Sequence, residues 1–372
     1  MSHRPSRLRR LCRALAVLAL TGAVCAPSTV AFGDAPIRPA PVRPWVKSCL
    51  RHGGPGGLLD CLARHGGRPG RPPSQTHRIT SITEWATPTS SSGPAGITAG
   101  PDDALWFTEN SANAVGRLTT GGSFTEYAVP TGGAGPAGIT VGPDGALWFT
   151  ESNTDKIGRV TTGGSFTEYT LPTSGAYPWG ITAGPDGALW FAEPGASNIG
   201  RITTGGTITE YAVTTAAYPL SITTGSDGAL WFTEVLNGSI GRITTGGAVT
   251  EYAVPAMDSL PIGITAGPDD NLWFTDAGAS QIGKVTTGGS FTGYSLTDVV
   301  FPFPWGITNG PDGALWFTEN LGNDIGRITT GGTITEAAIT TSDSNPLEIA
   351  TGSDGDLWFT ENSASQIGQV AP

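Results

Sequence analysis

The chain has 372 residues, with 31 Asp and Glu against 20 Lys and Arg and a net charge of −11. That balance excludes a nucleic-acid binder, which needs clustered Lys and Arg. Only the N-terminal stretch is apolar enough to raise the question of a membrane, so no stable membrane insertion is expected of the rest.

Residues 1–31 read as a secretory signal. Arg4, Arg7, Arg9, Arg10 and Arg13 form a basic start. Residues 11–24 are apolar but too short to span a bilayer. Thr29-Val30-Ala31 or Val24-Cys25-Ala26 supplies small residues for cleavage. A membrane anchor is the alternative; the signal reading makes the mature protein secreted.

Residues 32–78 form a Pro-, Gly- and Arg-rich arm, with eight basic residues against two acidic. Residues 79–372 reverse the sign, with seven basic against 29 acidic, so arm and ring should attract at low salt. The arm holds Cys49 and Cys61. An even pair in a secreted chain is most simply a disulfide. Each cysteine also has a histidine close behind it, His52 and His65, a spacing that suits zinc, and free thiols are the third option.

From residue 79 the chain is a repeat. Leu-Trp-Phe begins at Leu105, Leu147, Leu189, Leu230, Leu272, Leu315 and Leu357, at spacings of 41–43 residues. One unit, residues 138–172, holds four short apolar runs separated by Pro143-Asp144-Gly145, by residues 153–156 and by Gly163-Gly164. Asp-Gly and Gly-Gly supply the positive φ of tight hairpins, and nothing carries a helical period. Each unit is therefore a four-stranded antiparallel blade, and seven of them make an all-β, seven-bladed propeller. Trp and Phe of each copy point to opposite faces of their strand, both buried between blades. The seventh unit lacks an outer strand. Residues 82–88 match the outer strand of the other units, so the N-terminal strand is expected to complete the last blade and close the ring. The domains are thus 1–31, 32–78 and 79–372.

What departs from the repeat marks a candidate site. The aromatic residues left over cluster in the loop entering the innermost strand: Tyr177 and Trp179 in the third unit, Tyr218 in the fourth, Phe301, Phe303 and Trp305 in the sixth. That loop shares a face of the ring with the loop after the Leu-Trp-Phe strand, so the diversified face should bind. A hydrophobic plug sealing the channel is the alternative. Glu109, Glu151, Glu193, Glu234, Asp276, Glu319 and Glu361 follow the Leu-Trp-Phe strand, and Arg117, Arg159, Arg201, Arg242, Lys284 and Arg327 follow Ile/Val-Gly. One acid and one base per blade reads as structural pairing, which leaves Glu361 unpaired because Gln369 replaces its base. Glu348 is singular, standing where other units have Gly or Ser, with Asp343 before it. It would bind a cation or take a proton, or simply be solvated. A metal, if any, would fall to Glu348 and Glu361.

The run Gly-Ile-Thr-Asn-Gly-Pro-Asp-Gly-Ala-Leu-Trp-Phe-Thr-Glu-Asn at residues 306–320, followed by Ile-Gly-Arg-Ile-Thr-Thr-Gly-Gly at 325–332, with its near copy from residue 96 and Ile-Thr-Glu-Tyr at 208–211, resembles the virginiamycin B lyase (streptogramin B lyase) family over about residues 80–372. The resemblance implies a seven-bladed propeller and magnesium-assisted elimination across the ester of a cyclic depsipeptide antibiotic, hence antibiotic resistance. It also implies a Tyr, two His and acids around one channel mouth. At those positions this chain has Ala95 for the Tyr, Trp305 and Leu347 for the His, and Asn345 for an acid, with the remaining acid near Glu361. None of its four His lies beyond His77. An elimination needs a titrating base, which Trp and Leu cannot be. The expectation is a monomeric ligand-binding propeller for a small molecule, carbohydrate or peptide, using Tyr177, Trp179, Tyr218, Phe303, Trp305, Asp343 and Glu348, with lyase activity absent or weak. The alternatives are a metal-assisted lyase or hydrolase and a cell-surface interaction platform.

Overall fold

The computed structural model describes residues 79, 81–214, 216–296 and 301–372. The signal segment and the Cys49/Cys61 arm lie outside the described residues. Among those described, 28 strands form seven four-stranded antiparallel sheets. In the first blade the strands run Pro94–Ala99, Ala104–Glu109, Ala114–Thr119 and Phe124–Ala128, from the channel outward. In the seventh, Ile82–Ala86 pairs antiparallel with Gln366–Val370 as the outermost strand, with Ile82 opposite Val370 and Ala86 opposite Gln366.

The strand period of two explains the core. Leu105 and Phe107 point back to Trp358 and Ile367 of the seventh blade. Trp106, between them, points forward to Leu147 and Phe149 of the second. Each Trp is thus sandwiched between blades and is itself essentially inaccessible. Phe107 fits because Gly116 lies across the strand: a Cβ there would stand 2.1 Å from the ring. The outer-strand aromatic Tyr127 stacks on Trp106 at 5.6 Å and covers Gly164 of the next blade. Trp85 does the same over Gly122, in the place of a tyrosine.

The basic residues that follow Ile/Val-Gly pair with the Asp of the turn before each Leu-Trp-Phe strand, and not with the acids that follow it. Arg117 Nε donates to Asp102 at 2.6 Å while the Trp106 indole donates to its other oxygen at 2.9 Å. Arg159, Arg201, Arg242, Lys284 and Arg327 pair likewise with Asp144, Asp186, Asp227, Asp269 and Asp312. Register is the reason. Arg117 lies opposite Trp106, whereas Glu109 lies opposite Ala114 at the far end of the strand, about 10 Å away. Gln369 follows the same rule, donating to Asp354 and Asp356, so its presence says nothing about Glu361.

Candidate functional site at the channel mouth

The loops entering the innermost strands and the loops after the Leu-Trp-Phe strands meet on one face. Asn110 and Ser111 donate their N–H to the carbonyls of Gly93 and Ser92. Each entry loop ends in a residue, a proline and a second residue. Before the proline stand Gly93, Gly135, Tyr177, Tyr218, Leu260, Phe303 and Asn345. Two are glycines with φ near +60°, the natural solution. Tyr177, Tyr218, Phe303 and Asn345 hold the same left-handed backbone, at φ +50°, +57°, +51° and +51°. For an L-residue that costs on the order of 1–2 kcal/mol each, so their side chains must return something.

Packing is the return for two of them. The residues after the proline are Ala95, Ala137, Trp179, Leu220, Ile262, Trp305 and Leu347, and all seven converge in one buried cluster with Tyr218 and Phe303. Two neighbouring alanines leave the volume that two tryptophans fill. Trp305 is 1 % exposed and Trp179 6 %. Tyr218 places its hydroxyl in this interior with no hydrogen-bond partner, and burial drives its pKa up. Tyr177 alone of the predicted aromatic residues is exposed, at 42 %, its N–H held by Asp155. Met257, on the entry loop of the fifth blade, is 86 % exposed, and these two are the exposed large hydrophobic residues among those described. Met257 was not legible as a surface group because nothing in the repeat distinguishes it from filler.

Below the cluster lies a cavity of about 150 Å³ in the central channel, lined by innermost-strand residues of all seven blades, among them Trp179, Trp305, Ser221 and Glu348. Glu348 is half-buried and lines this cavity. Desolvation raises its pKa to about 7 against a hydrogen bond from Trp305 that lowers it. Asp343 is exposed in the entry turn, so the structure does not bring it together with Glu348.

Glu361 is fully buried, beside Glu84 and Ser344; desolvation, then the Glu84 charge, raises its pKa to about 8. It is not singular. Glu109, Glu151, Glu193 and Glu234 are equally buried and are raised to about 7 or 8, by desolvation first. Neither Glu361 nor Glu348 is among the charges acting on the other.

Ala95, Trp305 and Leu347, which stand where the resemblance implies catalytic groups, do meet, but in the apolar cluster. Asn345 spends its amide on Ser363. Magnesium needs about six oxygen ligands in near-octahedral array. These four residues offer one carboxamide, and no group of three or more His, Cys, Asp or Glu suited to a metal occurs among the described residues. The donor set does not fit the ion.

Comparison with known proteins gives one consistent family. The model of the virginiamycin B lyase family matches residues 73–219 and 214–372. A virginiamycin B lyase from Saccharopolyspora erythraea is 49 % identical over 45 residues, 12 % of this chain and 15 % of that relative, so this match spans only a small part of that protein's length. A solved streptogramin B lyase is 40 % identical with a TM-score of 0.75, covering 78 % of this chain and 97 % of that one. A catalytically inactive histidine-to-alanine variant of the Staphylococcus aureus virginiamycin B lyase, solved with quinupristin, has the same identity and TM-score, over 78 % and 99 %.

Proposed function

The chain belongs to the virginiamycin B lyase family, and on that premise we propose that it is a ligand-binding propeller that does not linearise streptogramin B antibiotics. The carrying observation is the burial of Ala95, Trp305 and Leu347 in one apolar cluster. A base must change protonation state at the substrate, and these side chains have no proton to exchange. The inactive S. aureus variant lacks a single histidine and was solved with quinupristin. Loss of the base and occupancy by a ligand are therefore compatible in this family. Tyr177 and Met257 stand exposed on the diversified face, above a floor of packed aromatic residues, and Asp343 supplies a charge at its rim. The basic start and short apolar run of residues 1–31, read as a secretory signal, support binding outside the cell.

The test incubates the full chain with quinupristin and magnesium. Elimination opens the ring without changing mass, so products are separated by chromatography and identified by fragmentation; hydrolysis would add one water. We expect intact quinupristin at times when an authentic family lyase has consumed it, since a general base contributes about 10²–10⁴-fold. Calorimetry on the same pair reads binding, which Tyr177→Ala should weaken by about 1–3 kcal/mol. Turnover at lyase-like rates, or binding indifferent to Tyr177, overturns the reading.

A further inference from the structure

Five of the seven innermost strands carry glycine at their third position, for a steric reason. A Cβ on Gly96, Gly138, Gly180, Gly263 or Gly306 would stand 2.3–2.7 Å from a carbonyl oxygen of the next blade. The fourth blade has Ser221 there, and the seventh has Glu348. Nothing in the ring needs a carboxylate at this point, because five blades close with glycine. Glu348 crowds its neighbour: its Oε2 would lie 3.1 Å from a Cβ on Gly306. It also partly desolvates a carboxyl toward which the Trp305 indole is directed as a hydrogen-bond donor. It is the one titratable side chain lining the cavity, whose remaining walls are largely isoleucine, tryptophan and backbone.

The volume restricts the ligand. A dry apolar cavity of about 150 Å³ accommodates benzene, so about six heavy atoms fit. A half-buried carboxylate with no basic side chain among the residues lining its cavity calls for a cation. Magnesium and calcium sites are built around carboxylates, and these walls hold only one, whereas an alkylammonium needs one charge partner and aromatic surface.

The access route follows from exposure. The first residues of the innermost strands are mostly buried, and the last two of each are half-exposed. The channel is closed by the aromatic cluster at one mouth and open at the other. We propose that the channel binds a small primary alkylammonium ion, its charge on Glu348 and its chain against Trp179 and Trp305, entering by the mouth opposite the aromatic cluster. This does not rest on quinupristin binding, which concerns the other face.

The probe is n-butylammonium, with 1-butanol as its uncharged counterpart, titrated into the full chain while the Trp305 indole N–H is followed by NMR and assigned with Trp305→Phe. We expect a saturable shift at millimolar butylammonium, with 1-butanol at least about tenfold weaker. Glu348→Gln should erase that preference, and so should Glu348→Gly, which restores the residue of five other blades and keeps the test valid if the amide folds poorly. Wild-type affinity should fall as pH drops below the carboxyl's titration near 7, no other titratable side chain among the described residues lining the cavity. Equal affinity for 1-butanol, either variant binding butylammonium as the parent does, or no saturable shift up to about 50 mM overturns the proposal.

Discussion

Trp305 shows how one residue changes the use of a mouth. At 1 % exposure, it and Trp179 fill the space beside Ala95 and Ala137. Trp305→Ala should therefore cost about 3–5 kcal/mol of stability, the transfer of a large side chain plus the void it leaves. Tyr177→Ala, on an exposed ring, should stay within about 0.5 kcal/mol. Urea or thermal unfolding of the two variants checks this, and a small effect of Trp305→Ala would mean the cluster does not seal the channel. That these aromatic residues depart from the repeat was legible in the sequence. Their burial was not, because it depends on which side chains six other blades send to the same point.

At the scale of the blade, glycine sets the spacing between strands. Gly241 faces the Phe232 ring, which a Cβ would approach to 2.1 Å, and similar contacts recur at Gly116, Gly158 and Gly326. Gly241→Ala should destabilise by at least about 1–3 kcal/mol through overpacking. Gly246, the first glycine of the following turn, has nothing nearer than 3.8 Å and no positive φ. Gly246→Ala should be neutral or gain up to about 1 kcal/mol by restricting the unfolded chain. A melting comparison of the two separates packing from turn propensity; equal losses would contradict the register. Between blades, Thr108 Oγ1 accepts from Gly96 N–H and donates to the Ala137 carbonyl. The third blade has Ala192 there, and Gly180 N–H instead donates directly to the Leu220 carbonyl at 2.9 Å.

The whole ring carries a pH dependence. Glu109, Glu151, Glu193, Glu234 and Glu361 are pushed up to about 7 or 8, chiefly by desolvation. In the unfolded chain they titrate near 4.5. The folded state thus holds more protons between 4.5 and 8, and the contribution of these groups, full below 4.5, is lost as pH rises through 7 to 8. The turn aspartates act in the opposite sense. Burial raises Asp102, but bonds from Trp106 and Arg117 outweigh it and hold its pKa below the usual range, so its contribution is lost only in stronger acid. The melting temperature should be higher near pH 5 than near pH 8. Calorimetry over that range checks it, and a rise toward pH 8 would mean these carboxyls find counter-charges stronger than the one that Lys156 gives Glu151 among the described residues.

The fold was readable from residue order alone because a repeat of about 42 residues leaves few options. One blade cannot bury its Trp and its Phe faces by itself, and stacking copies into a ring buries both. The resemblance, the strand count and the turn chemistry rest on such local patterns. Tertiary structure decided what depends on register and convergence. Acid and base were one per blade in the sequence, yet antiparallel pairing set Glu109 about 10 Å from Arg117 and gave the arginine to Asp102. Glu348 stood out as an exception, but only the ring shows that it occupies a point where five other blades place glycine against a carbonyl of the next blade, and that it lines the central channel. Ala95 and Leu347 lie about 250 residues apart along the chain and meet in one cluster, because a closed ring makes its first and last blades neighbours.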